Sequence, residues 1–147
     1  MDGICGPGWF VWVPVVTDLR GNGSEIQGRY SVVKVLVADD NLLTTSLLQT
    51  LFEMEGFEVI CVNDGPKVVS SIQEHEPDVI LMDYHLGSIE GTTLIPQIRD
   101  IPKVAAVPIV VFSGADKAPE ALAAGADRFV GKPFEPTELV DLISELV

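Results

Sequence analysis

A chain of 147 residues has room for one good hydrophobic core and no second domain. Its 22 acidic residues against 9 basic ones leave a formal charge of -13, which argues against direct nucleic-acid binding because few cations are available to meet phosphates. No apolar run approaches the roughly 18 residues of a membrane span, and no repeat or heptad series is visible, so a cytoplasmic protein without membrane contact is expected.

Residues 1–31 read differently from the rest. Gly3, Gly6, Pro7, Gly8, Pro14, Gly21, Gly23 and Gly28 break any regular element, while Trp9-Phe10-Val11-Trp12-Val13 forms an apolar aromatic patch. A secretory signal would need a basic start and a small-residue cleavage site, and neither is convincing here. Two alternatives stay open for this leader: a vector or start-site artefact, or an arm that docks on the following domain or a neighbour. An exposed patch of this kind favours association. Cys5 in the leader and Cys61 at a strand end are expected to be free thiols of a reducing compartment.

From Val32 onward, strand and helix patterns alternate. Val32–Ala38 is β-branched and mostly apolar and stops at Asp39-Asp40-Asn41. Leu43, Leu47, Leu48, Leu51 and Phe52 then recur at helical spacing, predicting a sheet-facing stripe that Gly56 ends. Phe57–Cys61 is a less apolar run and therefore an edge-strand candidate. Asp64 is placed to cap the next helix, which carries Val68, Val69 and Ile72 and must end before Pro77. Asp78–Met82 is a third strand, stopping at Asp83.

Leu94, Ile95 and Ile98 mark a third helix, which Pro96 must bend or shorten. Val107–Phe112 stops at Ser113-Gly114, an Ala-rich helix lies between Pro119 and Gly125, and Asp127–Gly131 runs into Lys132-Pro133. The last helix opens near Pro136 with Leu139, Leu142, Ile143 and Leu146 on one face. Near-continuous apolar runs suit strands covered on both faces, so five strands alternating with five helices predict one α/β domain over 32–147.

The strand ends gather charge. Asp39, Asp40, Asp83 and Lys132 all follow the carboxyl ends of predicted strands, where α/β sheets bind ligands. Two carboxylates 4 Å apart repel by roughly 4 kcal/mol at an effective dielectric of 20. A divalent cation such as Mg²⁺ would remove that repulsion and orient a phosphoryl group. Zinc is a poor alternative, since His75 and His85 are the only histidines.

With those residues in place, the chain resembles the receiver domains of two-component response regulators over about residues 33–147. The resemblance rests on the acidic pair Asp39-Asp40, on Asp83, on Ser113, on Lys132-Pro133 and on Phe129 at an aromatic switch position, in order on the expected strands. It implies a doubly wound, flavodoxin-like five-stranded parallel sheet in the order 2-1-3-4-5. It also implies a phosphoryl group accepted by Asp83 from a phosphohistidine on a sensor histidine kinase or histidine phosphotransfer protein.

In that scheme Asp40, Asp83 and the backbone carbonyl of His85 ligate Mg²⁺, with Asp39 acting through water. Lys132 and Ser113 would contact phosphoryl oxygens, and the Lys132-Pro133 bond would be cis to aim the lysine. Ser113 and Phe129 would move together as the switch. The His85 side chain and Ala115, two residues after Ser113, fall at positions that modulate water attack.

The expected role is therefore a stand-alone receiver that gains and loses its own phosphoryl group and signals to a downstream protein target or along a relay. A homodimer is left open. The alternatives are a pseudo-receiver serving as a constitutive protein-binding module, and a small-phosphoester hydrolase, which would need an Asp-x-Asp motif and a cap domain. Two departures from the family pattern bear on output: Pro96, and the nineteen-residue step from Ser113 to Lys132, which is shorter than in typical receivers and draws on the fourth helix or its loops.

Overall fold

The computed structural model describes residues 32–147, so the expectations for the leader, including Cys5, lie outside the described residues. The elements are β1 (Lys34–Ala38), α1 (Leu42–Met54), β2 (Glu58–Val62), α2 (Val68–His75), β3 (Val79–Asp83), β4 (His85–Leu86), β5 (Ile89–Glu90), α3 (Ile95–Arg99), β6 (Ile109–Ser113), α4 (Ala118–Ala124), β7 (Arg128–Gly131) and α5 (Pro136–Leu146). Five strands form one sheet in the order β2-β1-β3-β6-β7, and all four pairings are parallel. Leaving out the small β4-β5 hairpin, which the sequence did not announce, this is the predicted 2-1-3-4-5 order. The weakly apolar second strand lies at an edge, as its composition implied.

Alternation along the strands divides the core between the two faces. Leu36, Ala38, Ile80, Met82, Ile109 and Val111 pack with Val68 and Ile72 of α2, Ile95 and Ile98 of α3 and Ala121 of α4. Val35, Val37, Val79, Leu81, Val110 and Phe112 pack on the other side with Leu48 and Phe52 of α1 and Leu139 and Ile143 of α5. Parallel strands covered by helices on both faces must be apolar at nearly every position, which is why β3 and β6 are buried throughout.

Three local expectations are corrected. The stripe on α1 is narrower than predicted and rotated: Thr45, Leu48 and Phe52 are buried, whereas Leu43 is 81% and Leu47 52% exposed. Neighbouring leucines kept the helical spacing satisfied on more than one face, so periodicity alone could not choose between them. Asp64 precedes a 3₁₀ turn at Gly65–Lys67 instead of α2 itself, and its side chain makes no capping hydrogen bond. The first and fourth sheet strands begin at Lys34 and Ile109, later than their apolar runs; before the fourth, the Val107 N–H is taken by a turn to the Val104 carbonyl and Pro108 has no N–H.

Pro96 acts as anticipated. It occupies the first turn of an α3 only five residues long, where a missing N–H costs little, and a 3₁₀ turn at Gly91–Leu94 precedes it. α4 is also brief, at seven residues, and it ends on Gly125 with φ +115°.

Candidate functional site

β1 and β3 are adjacent in the sheet, and Ala38 pairs with Met82, so the residues just beyond them emerge side by side. Asp39 and Asp40 follow β1 while Asp83 closes β3. One carboxylate oxygen from each of the three lies within 4.8 Å of the others. The sequence-predicted acids therefore converge. Asp40 is exposed, whereas Asp39 and Asp83 are buried.

The turns hold these carboxylates from below. Asp39 Oδ1 accepts the Asn41 N–H at 2.9 Å, and Asp83 Oδ1 accepts the His85 N–H at 3.2 Å. Asn41 also caps α1, its side chain accepting from the Leu43 and Thr44 amides. Across the site, Asp40 Oδ2 accepts the Gly87 N–H at 3.0 Å from the turn of the β4-β5 hairpin.

Asp39 Oδ2 is the one buried side-chain oxygen among the described residues without a hydrogen-bond partner. Burial, with the neighbouring Asp83 charge adding, pushes the Asp39 carboxyl up from its ordinary 3.8 to about 7, although the Asn41 amide and Lys132 act in the opposite sense. An orphaned oxygen beside two further carboxylates is a donor set suited to a hard divalent cation such as Mg²⁺ or Ca²⁺.

Lys132 reaches in from the end of β7. Its Nζ lies 3.2 Å from Asp83 Oδ2 and 3.6 Å from Asp39 Oδ2, and 4.8 Å from the centroid of the Phe112 ring. The Lys132 N–H donates to the Ser113 carbonyl at 2.8 Å, continuing the β6-β7 ladder past Gly131, and the Lys132-Pro133 bond is cis.

Ser113 ends β6 almost fully buried, and its Oγ accepts the Ala115 N–H at 3.1 Å, which leaves the hydroxyl proton free to donate elsewhere. Phe129 is half-buried on β7, packed with the core beneath α2, α3 and α4. Phe129 pairs with Val111 and Gly131 with Ser113, so Phe129 and Ser113 share one face of the sheet, two pairing steps apart. The His85 side chain is exposed and its ring meets the Tyr84 ring edge-on at 4.9 Å; Ala115 is exposed as well.

Several supporting residues gave no signal in the sequence. Asn63 Nδ2 donates to the Asp39 carbonyl at 2.8 Å and to Thr45 Oγ1 at 2.9 Å, tying the end of β2 to the acidic turn. Gly91 leaves no room for a side chain, because a Cβ there would collide with the Asp83 carbonyl. The Asn63 contacts join residues 18 and 24 positions apart, and local spacing does not encode them. A lone glycine in a Gly-rich chain is equally silent.

Comparison with known proteins gives concordant results. The response regulator receiver domain model matches residues 35–144. The sensory/regulatory protein RpfC of Xanthomonas campestris pv. campestris is 32% identical over 126 residues, which is 82% of this chain but only 17% of that protein. Among solved structures, chemotaxis response regulator CheY4 of Vibrio cholerae superposes with a TM-score of 0.75 at 24% identity, over 80% of this chain and all of that one. The receiver domain of sensor histidine kinase PA1611 from Pseudomonas aeruginosa superposes at 0.72 with 25% identity, over 79% and 98% of the two chains. That structure holds a magnesium ion coordinated in its active-site cleft.

Proposed function

This chain belongs to the response regulator receiver domain family, a family of phosphoacceptor signalling domains, and from that membership we propose that Asp83 is its phosphoacceptor in a Mg²⁺-dependent reaction. The observation that carries the proposal is the acidic triad itself: three carboxylates with oxygens within 4.8 Å, one of them orphaned, and a lysine 3.2 Å from Asp83. Asp40 and Asp83 are the proposed direct metal ligands, joined by the His85 carbonyl, with Asp39 as the buried acidic partner behind them. A cation bound there would supply charge neutralisation and would polarise phosphoryl oxygens; the PA1611 receiver domain holds magnesium in its active-site cleft.

The remaining chemistry belongs to the chain. An Asp83 carboxylate oxygen bonds to the phosphorus of a phosphohistidine on a sensor histidine kinase or histidine phosphotransfer protein as the phosphorus–nitrogen bond breaks, returning the imidazole to the donor. Lys132 exchanges its contact with Asp83 for one with a phosphoryl oxygen, and the Ser113 hydroxyl donates to another. Drawing Ser113 toward the phosphoryl group opens space on the sheet face it shares with Phe129, whose inward movement would alter the β6, β7 and α4 surface offered to a downstream protein target. Residues 32–147 are the proposed signalling unit.

The test is labelling by acetyl phosphate. Parent protein takes up one phosphoryl group with Mg²⁺ and none with EDTA, and Asp83→Asn takes up none. Unlabelled parent protein that still binds partners would make the chain a constitutive protein-binding module instead.

A further inference from the structure

The loop between β6 and α4 is tied back to the residue beside Asp83. Lys117 Nζ lies over the Tyr84 ring, 5.5 Å from its centroid, within the range of a cation–π attraction. Tyr84 is itself buried, only 4% exposed, and its N–H donates to the Phe112 carbonyl at 2.8 Å. From Lys117 the connection runs back to the site, because the Lys117 N–H donates to the Ala115 carbonyl at 2.9 Å and the Ala115 N–H donates to Ser113 Oγ at 3.1 Å. The loop is thus closed from Ser113 through Ala115 and Lys117 to Tyr84, the neighbour of Asp83.

We propose that Lys117 is a positioning residue for the Ser113 hydroxyl, acting through the Ala115 amide while its ammonium anchors the loop on Tyr84. A hydroxyl oxygen that accepts a fixed N–H has fewer directions left for its own proton, so the hydroxyl is pre-aimed as a donor. Donors fixed before the reaction stabilise developing charge without reorganisation at the moment of transfer. Releasing Lys117 lets the Ala115 N–H wander and costs that alignment. The proposal rests on the phosphoacceptor function proposed above.

Acetyl phosphate provides the test. An Asp83 carboxylate oxygen bonds to phosphorus, the bond from phosphorus to the acetyl oxygen breaks, and acetate leaves with the electron pair. Lys117→Met keeps the length of the stem and removes the ammonium. Its labelling rate is expected to fall about two- to fivefold, the range one partly exposed cation–π contact supports. Lys117→Arg keeps a cation over the ring and should stay near the parent rate. In a Ser113→Ala background the same Lys117→Met change should have no further effect, because its route to the site has been removed.

Amide exchange of Ala115 in the unphosphorylated protein should quicken in Lys117→Met and recover in Lys117→Arg. An unchanged labelling rate in Lys117→Met, or an equal loss with and without Ser113, would overturn the positioning role. A parent protein that takes no label with Mg²⁺ would overturn the phosphoacceptor reading and this inference with it, and is distinguished by the failure of the parent itself.

Discussion

Asp39 has one carboxylate oxygen bonded to the Asn41 amide and one with no hydrogen bond at all, and the two halves have opposite consequences. The bonded oxygen fixes the turn after β1, while the orphaned one makes ionisation costly in the absence of a cation. In the unfolded chain this carboxyl ionises near 3.8 and in the fold near 7, so between those values the folded state holds the extra proton. Stability contributed by this group is therefore full below about pH 4, falls as pH rises toward 7, and stays lost above it. Asp39→Asn, measured by urea unfolding in EDTA, should raise stability at pH 8 by about 1–3 kcal/mol, with the gain shrinking by pH 5. Added Mg²⁺ should stabilise the parent more than the variant. The acids, Ser113 and Lys132 were legible because each follows the end of an apolar strand. The orphaned oxygen was not, because it depends on which neighbours close over the turn.

Strand identity was readable wherever burial on both faces forces continuous apolar sequence, as in Val79–Met82 and Ile109–Phe112. The orientation of α1 was not, since Leu42, Leu43 and Leu47 are apolar and still face solvent. The difference has a measurable form. Phe52→Ala should cost about 3–5 kcal/mol because a fully buried ring is replaced by a cavity, while Leu43→Ser should change stability by no more than about 0.5 kcal/mol. Chemical denaturation of the two variants checks both, and a large loss in Leu43→Ser would mean that α1 presents a different face to the sheet.

Arg99 at the end of α3 carries a second element-scale role that spacing could not announce. It donates to the Ala105, Val107 and Gly125 carbonyls and to Asp127, which also accepts the Ile109 N–H. These contacts join α3, the start of β6 and the turn between α4 and β7. The ion pair itself is half-exposed and contributes little, so the effect lies in the carbonyls. Arg99→Ala should cost about 1–3 kcal/mol. Arg99→Lys should recover only part of it, because an ammonium lacks the planar fork that serves several acceptors at once. Thermal unfolding of the pair decides the point.

At the scale of the whole molecule, the parallel order does the assembling. Placing β1 and β3 side by side brings residues more than forty positions apart into one acidic cluster, and placing β6 and β7 beside them delivers Ser113 and Lys132 to the same end. The strand order was legible from alternating elements and right-handed crossovers taken together with the receiver-domain resemblance. The hairpin after β3, which supplies the Gly87 amide to Asp40, was not, because strands of two residues leave no periodic trace. Among the described residues no helix is long and apolar enough to cross a membrane.

The central claim is that this arrangement makes Asp83 the residue that is phosphorylated, and borohydride trapping tests it most directly. Reduction of an aspartyl phosphate yields homoserine, which peptide mapping locates by position. After labelling with acetyl phosphate and Mg²⁺, homoserine is predicted at position 83 and nowhere else in the chain. Homoserine at position 39 or 40, or label that survives in Asp83→Asn, would contradict the account.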